Sequence, residues 1–213
     1  MGVFLVLLTL LLNFFSGTRQ VWKTLRDRNE TFARTRVAMD LICELLQSGV
    51  YANGISGIYI NSANNECNFI TSSNRTLQDP SAVSNTQGIY AVRIYRNNAG
   101  HLRIAAAPAG VSSSSSFEYS STKSGVDTTT SGGSDKLVIR GVSGLCFTPL
   151  GTATPNSGNR PMGVEITLHV FDREENYVTW NAMAAGAAKN NFQAAHEYVF
   201  SRVVAFDDIE ELL

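Results

Sequence analysis

The chain has 213 residues, enough for one domain plus an appendage at roughly 100 to 200 residues per domain. Its formal net charge of −1 gives no electrostatic case for a nucleic-acid partner. Charged residues are 16% of the chain, under the roughly 25% usual in soluble domains, and the wealth of Ser, Thr, Asn and Gly suits an exported β-rich protein better than a cytosolic enzyme.

From Gly2 to Phe15 only Thr9 and Asn13 interrupt an apolar run. Such a segment demands burial in lipid or in protein. As a helix it covers roughly 21 Å, short of the ~30 Å hydrocarbon core of a bilayer. A signal peptide should start with basic residues and end in small ones. Here Met1-Gly2 carries no side-chain charge, and "NFFSG" puts bulky Phe residues at the exit. Arg19, Lys23, Arg26 and Arg28 follow, and the positive-inside rule alone would leave everything downstream in the cytoplasm.

Next, Val21, Leu25, Phe32, Met39, Ile42 and Leu46 recur on steps of four and three, broken at Arg28 and Thr35. This spacing predicts an amphipathic helix. Lys23 with Asp27, Glu30 with Arg34 and Arg36 with Asp40 stand at i,i+4, where opposite charges support a solvated face. Beyond Arg36 the stripe widens to include Val37, Ala38, Leu41 and Leu45, so the first half should project and the second should pack against a domain. Ser48-Gly49 is a helix stop, with Gly free to take the left-handed conformation after the last turn. Because only Gly17 interrupts good helix formers between Val3 and Ser48, one continuous helix is expected: an apolar part over 1–17 and an amphipathic part over 18–49.

An apolar spike continued by an amphipathic helix and followed by a β-rich head resembles the type IV pilin and pseudopilin superfamily. "ARTRVAMDLICELLQSG" is similar to the end of the long helix in J-type minor pseudopilins of type II secretion. The prepilin-like family Verru_Chthon cassette protein C shares that pattern, together with "RPMGVEITLHVFD" and "EYVFSRVVAF". The resemblance covers the first fifty residues and about forty near the end. It implies an α+β pilin-like fold, a single pass through a bacterial inner membrane by residues 1–17, and a head in the periplasm or in an extracellular filament. It also implies other pilin-like subunits and inner-membrane assembly machinery as partners. Members of the family carry a basic leader and a Glu at the fifth mature residue, whereas this chain has no acidic residue before Asp27. The expectation is therefore that Met1 is an internal start and that the precursor extends upstream.

After Gly49 the helical period stops, and 50–213 is expected to form the head. "GIYAVRIYR" alternates, and "HLRIAAA" follows it across "NNAG", which predicts a β-hairpin. "KLVIRGV" and "LCFTPL" read as strands. In "GVEITLHVFD", Val164, Ile166, Leu168 and Val170 line one face, opposed by Glu165, Thr167 and His169. The implied sheet should have one face covered, by the second half of the long helix. A Ser-rich stretch over 108–136 is too polar for core and is expected to be a mobile surface loop, and "TATPNSGNRPMG" a second exposed loop. Irregular structure is expected from Asn176 to Ala188, then a short helix in "NFQAAHEYVF", a final strand in "SRVVAF" and an acidic tail.

Of the three cysteines, Cys67 and Cys146 are the pair to test for a disulfide in an exported head; three unpaired thiols, with Cys43 in the core, is the equal alternative. No catalytic, cofactor or metal site emerges. His196-Glu197 opens like a zinc-protease motif, but Phe200 stands where the second His is needed. "DREE", Asp172 to Glu175, reads as a solvated turn, and Ser143 in "GVSGL" lacks the spacing of a nucleophile elbow. "SGGSDK" is Gly-rich without the spacing of a phosphate loop, and His101 and His169 read as exposed strand residues. The primary expectation is a structural filament subunit and not an enzyme. Phe4, Leu8, Leu11 and Phe15 would bundle with neighbouring helices, and Val37, Leu41 and Leu45 would clamp the head. The rival expectation is a signal-anchored binding or adhesion module that uses the Ser-rich loop as its contact surface.

Overall fold

The computed structural model describes residues 2–49, 58–60, 63, 65–71, 90–108, 134–151 and 161–206. Most of the Ser-rich stretch, the core of the second predicted loop and the acidic tail lie outside the described residues. The Ser-rich stretch is shorter than expected at both ends, because its edges belong to strands that end at Pro108 and begin at Ser134.

A single helix, α1 (Gly2–Gln47), runs through Gly17 without interruption and is about 69 Å long. Its last turn is closed by Ser48, whose hydroxyl donates to the Leu45 carbonyl at 2.9 Å and meets the Thr71 hydroxyl at 2.7 Å. Gly49 then bridges to Thr71, so the chain leaves the helix already pinned to a sheet.

The strands form two antiparallel sheets. β1 (Ile58–Ile60), β2 (Glu66–Thr71), β3 (Tyr90–Arg96), β4 (His101–Pro108) and β5 (Ser134–Arg140) lie in sequence order in the first. β6 (Val142–Leu150), β7 (Gly163–Phe171) and β8 (Glu197–Ala205) form the second. Sequence patterning missed β1 and β2. β2 is buried on both faces from Cys67 to Thr71 and so shows no alternation to read. The β3–β4 hairpin turns at "NNAG" as predicted, with the Asn97 side chain accepting from the His101 backbone N–H at 2.9 Å.

In the β3–β4 turn, which abuts the point where the chain passes from one sheet to the other at Gly141, Gly100 holds a positive φ of 73° and lies against the Tyr177 ring. A Cβ there would sit 2.1 Å from the Tyr177 Cζ, so both the conformation and the space demand glycine. The Val142 N–H donates to the Gly100 carbonyl at 2.8 Å, and the Arg96 guanidinium ties the Val142 carbonyl to the Tyr177 hydroxyl.

β7 matches its pattern closely: Val164, Ile166, Leu168 and Val170 are fully buried, and Glu165, Thr167 and His169 between them are not. They join Phe69 and Ile94 of the first sheet, Phe147 of β6, and Ala38, Met39, Ile42, Cys43, Leu45 and Leu46 of α1 in one core. The end of the long helix is thus a structural member of the head, shared by both sheets.

Between β7 and β8 lie two helices: α2 (Glu174–Ala182), where irregular structure was expected, and α3 (Ala187–His196), which takes in the first part of the expected short helix. α2 has no amphipathic period that sequence could reveal. Tertiary contacts hold them: Tyr177 is buried, and its ring and that of Trp180 pack against Phe171 at centroid distances of 6.0 and 5.4 Å. Lys189 crosses from α3 to lie 4.5 Å over the Trp180 ring. α3 and β8 each begin four residues earlier than expected, because β8 pairs with β7 along its whole length, from Phe171↔Glu197 to Gly163↔Ala205.

Candidate assembly and membrane helix

Phe4, Leu8, Leu11 and Phe15 fall at steps of four, three and four and lie on one side of α1. All are exposed, as are Leu5, Leu7, Leu10, Leu12 and Phe14 around the rest of the circumference. α1 as a whole is long and apolar enough, by length and composition, to cross a membrane, and its most apolar stretch is not buried against the head. Two of its polar side chains suit an apolar surrounding: the Thr9 and Thr18 hydroxyls donate back to the Leu5 and Phe14 carbonyls at 2.8 and 2.9 Å, which satisfies them without water. An apolar surface of this extent on a rod marks an interaction surface.

Contact with the head begins at Thr24. The Arg173 guanidinium donates to the Thr24 hydroxyl at 3.1 Å and pairs with Asp27 at 3.1 Å. The Thr31 hydroxyl donates to the Asp172 carbonyl at 2.9 Å. Phe32 meets Tyr198 and Phe200 of β8 edge-on at 4.8 and 5.7 Å, and Asp40 pairs with Arg202 farther along the same strand. Of the three charge pairs expected within the helix, only Glu30 with Arg34 forms. Asp27 and Asp40 reach across to the head instead, because head arginines face them.

The three residues expected to clamp the head divide. Leu45 is completely buried and Leu41 packs partly buried against the core. Val37 is a correction: it is 68% exposed. Five residues before Ile42, it stands about 140° round the helix from the core-facing side.

The other correction concerns the thiols. Cys43, Cys67 and Cys146 are all free. Cys67 points into the core beside Phe69, whereas Cys146 lies between the buried Leu145 and Phe147 and therefore projects from the opposite face of β6. Burial pushes the Cys67 thiol far above its ordinary range, and the neighbouring Glu66 carboxylate adds to that; burial likewise raises Cys43. Neither supplies a thiolate near neutral pH. A thiol reagent should therefore label Cys146 quickly in the folded protein and the other two only after denaturation. Rapid modification of all three under native conditions would show the core to be open.

The motifs that sequence singled out for chemistry converge on the base of the α2–α3 excursion. Asp172 is 4% exposed rather than solvated; its carboxylate accepts from Asn176 at 2.6 Å and lies 3.3 Å from the His196 Nδ1. Arg173 serves α1, as above, and Glu174 pairs with Arg140 at 3.4 Å. Glu197 accepts from the Ser143 hydroxyl, and its two carboxylate oxygens accept from the Gln193 amide at 2.9 and 3.0 Å, with His169 Nδ1 3.3 Å away. In a nucleophilic relay the imidazole stands between hydroxyl and carboxylate. Here the carboxylate stands between them, and the arrangement ties the start of β8 to β6 and β7. Among the described residues no group of three or more His, Cys, Asp or Glu side chains is placed to hold a metal. Asp135, from the Gly-rich "SGGSDK", is engaged by Arg103 at 2.9 Å and Tyr95 at 3.0 Å.

The chain matches no protein-family model, no curated protein and no solved structure. Its functional reading accordingly rests on the geometry of α1: a rod with a bare apolar end and an opposite end built into the core.

Proposed function

We propose that this chain is a pilin-like subunit of a type IV pilus or type II secretion-like filament. It is held in the bacterial inner membrane by the start of α1, with its head in the periplasm or in the assembled filament. The observation that carries this reading is the division of one unbroken helix into an exposed apolar part and a part that is the spine of the head. A rod of this kind can be withdrawn from lipid and bundled with others while the head stays attached.

Assembly by that route exchanges lipid contacts for helix contacts. Lipid tails are as apolar as Leu, so the exchange brings no hydrophobic gain, and close side-chain fit must hold the filament together. Phe4, Leu8, Leu11 and Phe15 are the residues placed to supply that fit. The assembly machinery and neighbouring pilin-like subunits are the partners this reading requires.

Site-directed crosslinking in membranes tests it. Cysteines introduced by Leu8→Cys and Leu11→Cys should give products linking copies of this chain or other small helix-headed subunits. Crosslinks confined to the head, with the helix positions silent, would overturn the subunit reading in favour of an anchored binding module.

A further inference from the structure

We propose that Arg19, Trp22, Lys23 and Arg26 form a collar that binds the headgroups of anionic phospholipids on the side of the membrane that carries the head. The inference rests on the membrane insertion of α1 put forward above, but not on filament assembly.

Four observations converge. The collar residues stand at i, i+3, i+4 and i+7, which places them on one helix face. All four side chains are exposed, and Trp22, Leu25 and Arg26 line an open groove along the rod. No acidic residue precedes Asp27, and the nearest two carboxylates, Asp27 and Glu30, are engaged by Arg173 and Arg34. Among the described residues the three cations thus have no carboxylate partner and face outward, toward a partner of opposite charge. Finally, the position along the rod is right: the continuous apolar run ends at Phe15, and Arg19 to Arg26 covers about 10 Å of helix around Thr24, where the head, among the described residues, first touches α1. That length is comparable to one headgroup layer of a bilayer.

The chemistry of each member suits this layer. Trp presents an apolar ring and a polar N–H to the membrane–water boundary. Arg19, nearest the apolar surface, has a stem long enough to carry its guanidinium outward to the phosphates. Clustered cations beside a spanning helix favour anionic over zwitterionic headgroups. The same collar gives the positive charge that follows the apolar run a partner on the head side of the membrane.

The test uses the full chain reconstituted into phosphatidylcholine vesicles containing a trace of spin-labelled phosphatidylglycerol or, in parallel, spin-labelled phosphatidylcholine. The protein should immobilise phosphatidylglycerol at least about threefold more strongly. Raising the salt to about 1 M should bring the two lipids close to parity. The combined Arg19→Gln, Lys23→Gln and Arg26→Gln variant should do so at low salt; among the described residues these positions have no hydrogen bond or ion pair with the head, and circular dichroism should show the same unfolding transition as the unaltered protein. Parity in the unaltered protein at low salt, or a preference that survives the triple substitution, would overturn the collar. Lipid parity alongside intact helix crosslinks would leave the subunit reading standing. Lipid preference without crosslinks would do the reverse.

Discussion

Leu45→Asp should unfold the head. Leu45 is fully buried where α1 meets both sheets, so the substitution removes about 2 kcal/mol of apolar burial and forces a carboxylate into a space with no partner for it. The combined cost, on the order of 5 kcal/mol, equals much of the 5–15 kcal/mol that holds an ordinary domain together. Thermal unfolding followed by circular dichroism should show the cooperative transition lost or lowered by tens of degrees. Leu41→Asp, at the half-buried rim, should cost less while still loosening the helix from the sheets. Val37→Asp, on the solvent side, should change stability by no more than about 0.5 kcal/mol. A Val37 variant as damaging as the Leu45 variant would mean that the helix sits rotated from the position described here.

Removing residues 1–17 should release the protein from membranes and leave the head folded. Among the described residues no polar or aromatic contact from the head reaches α1 before Thr24, and the apolar end carries at least nine large exposed side chains. Each contributes about 1.5–3 kcal/mol on burial, a sum on the order of 10 kcal/mol or more, so partition into lipid should change from nearly complete to nearly absent. Fractionation by ultracentrifugation measures the first effect and thermal unfolding the second. A truncated protein that still sediments with membranes would place the anchor elsewhere. One that loses its cooperative transition would show the apolar end to be part of the core.

These two experiments probe opposite ends of one helix, and the helix was the most legible element of the chain. Its apolar run and its four-and-three stripe are local patterns, set by side chains that are neighbours on the helix itself. The β3–β4 hairpin was legible for the same reason: turn residues lie between two alternating runs. So was β7, which has one clean buried face. α2 was not, because its stability comes from Tyr177 and Trp180 stacking on Phe171 and from Lys189 over Trp180, contacts with no periodic trace, whereas α3 was legible in part, as the short helix expected from Asn191. β2 was missed because burial on both faces erases alternation.

Within the candidate site, composition and spacing alone determined that the chain begins with an apolar rod and that the rod becomes two-faced before it ends. The tertiary structure decided which face is which. Asp27 and Asp40 had partners at helical spacing, yet they pair with Arg173 and Arg202 because the head presents those cations across the contact. Val37 fitted the widened stripe, but the direction from which two sheets approach leaves it in solvent. Cys67 and Cys146 could not be separated by sequence, and the pleat of β6 turns one thiol away from the core that holds the other. Periodicity specifies which residues share a side of a helix or a strand; only the arrival of distant strands specifies what that side touches.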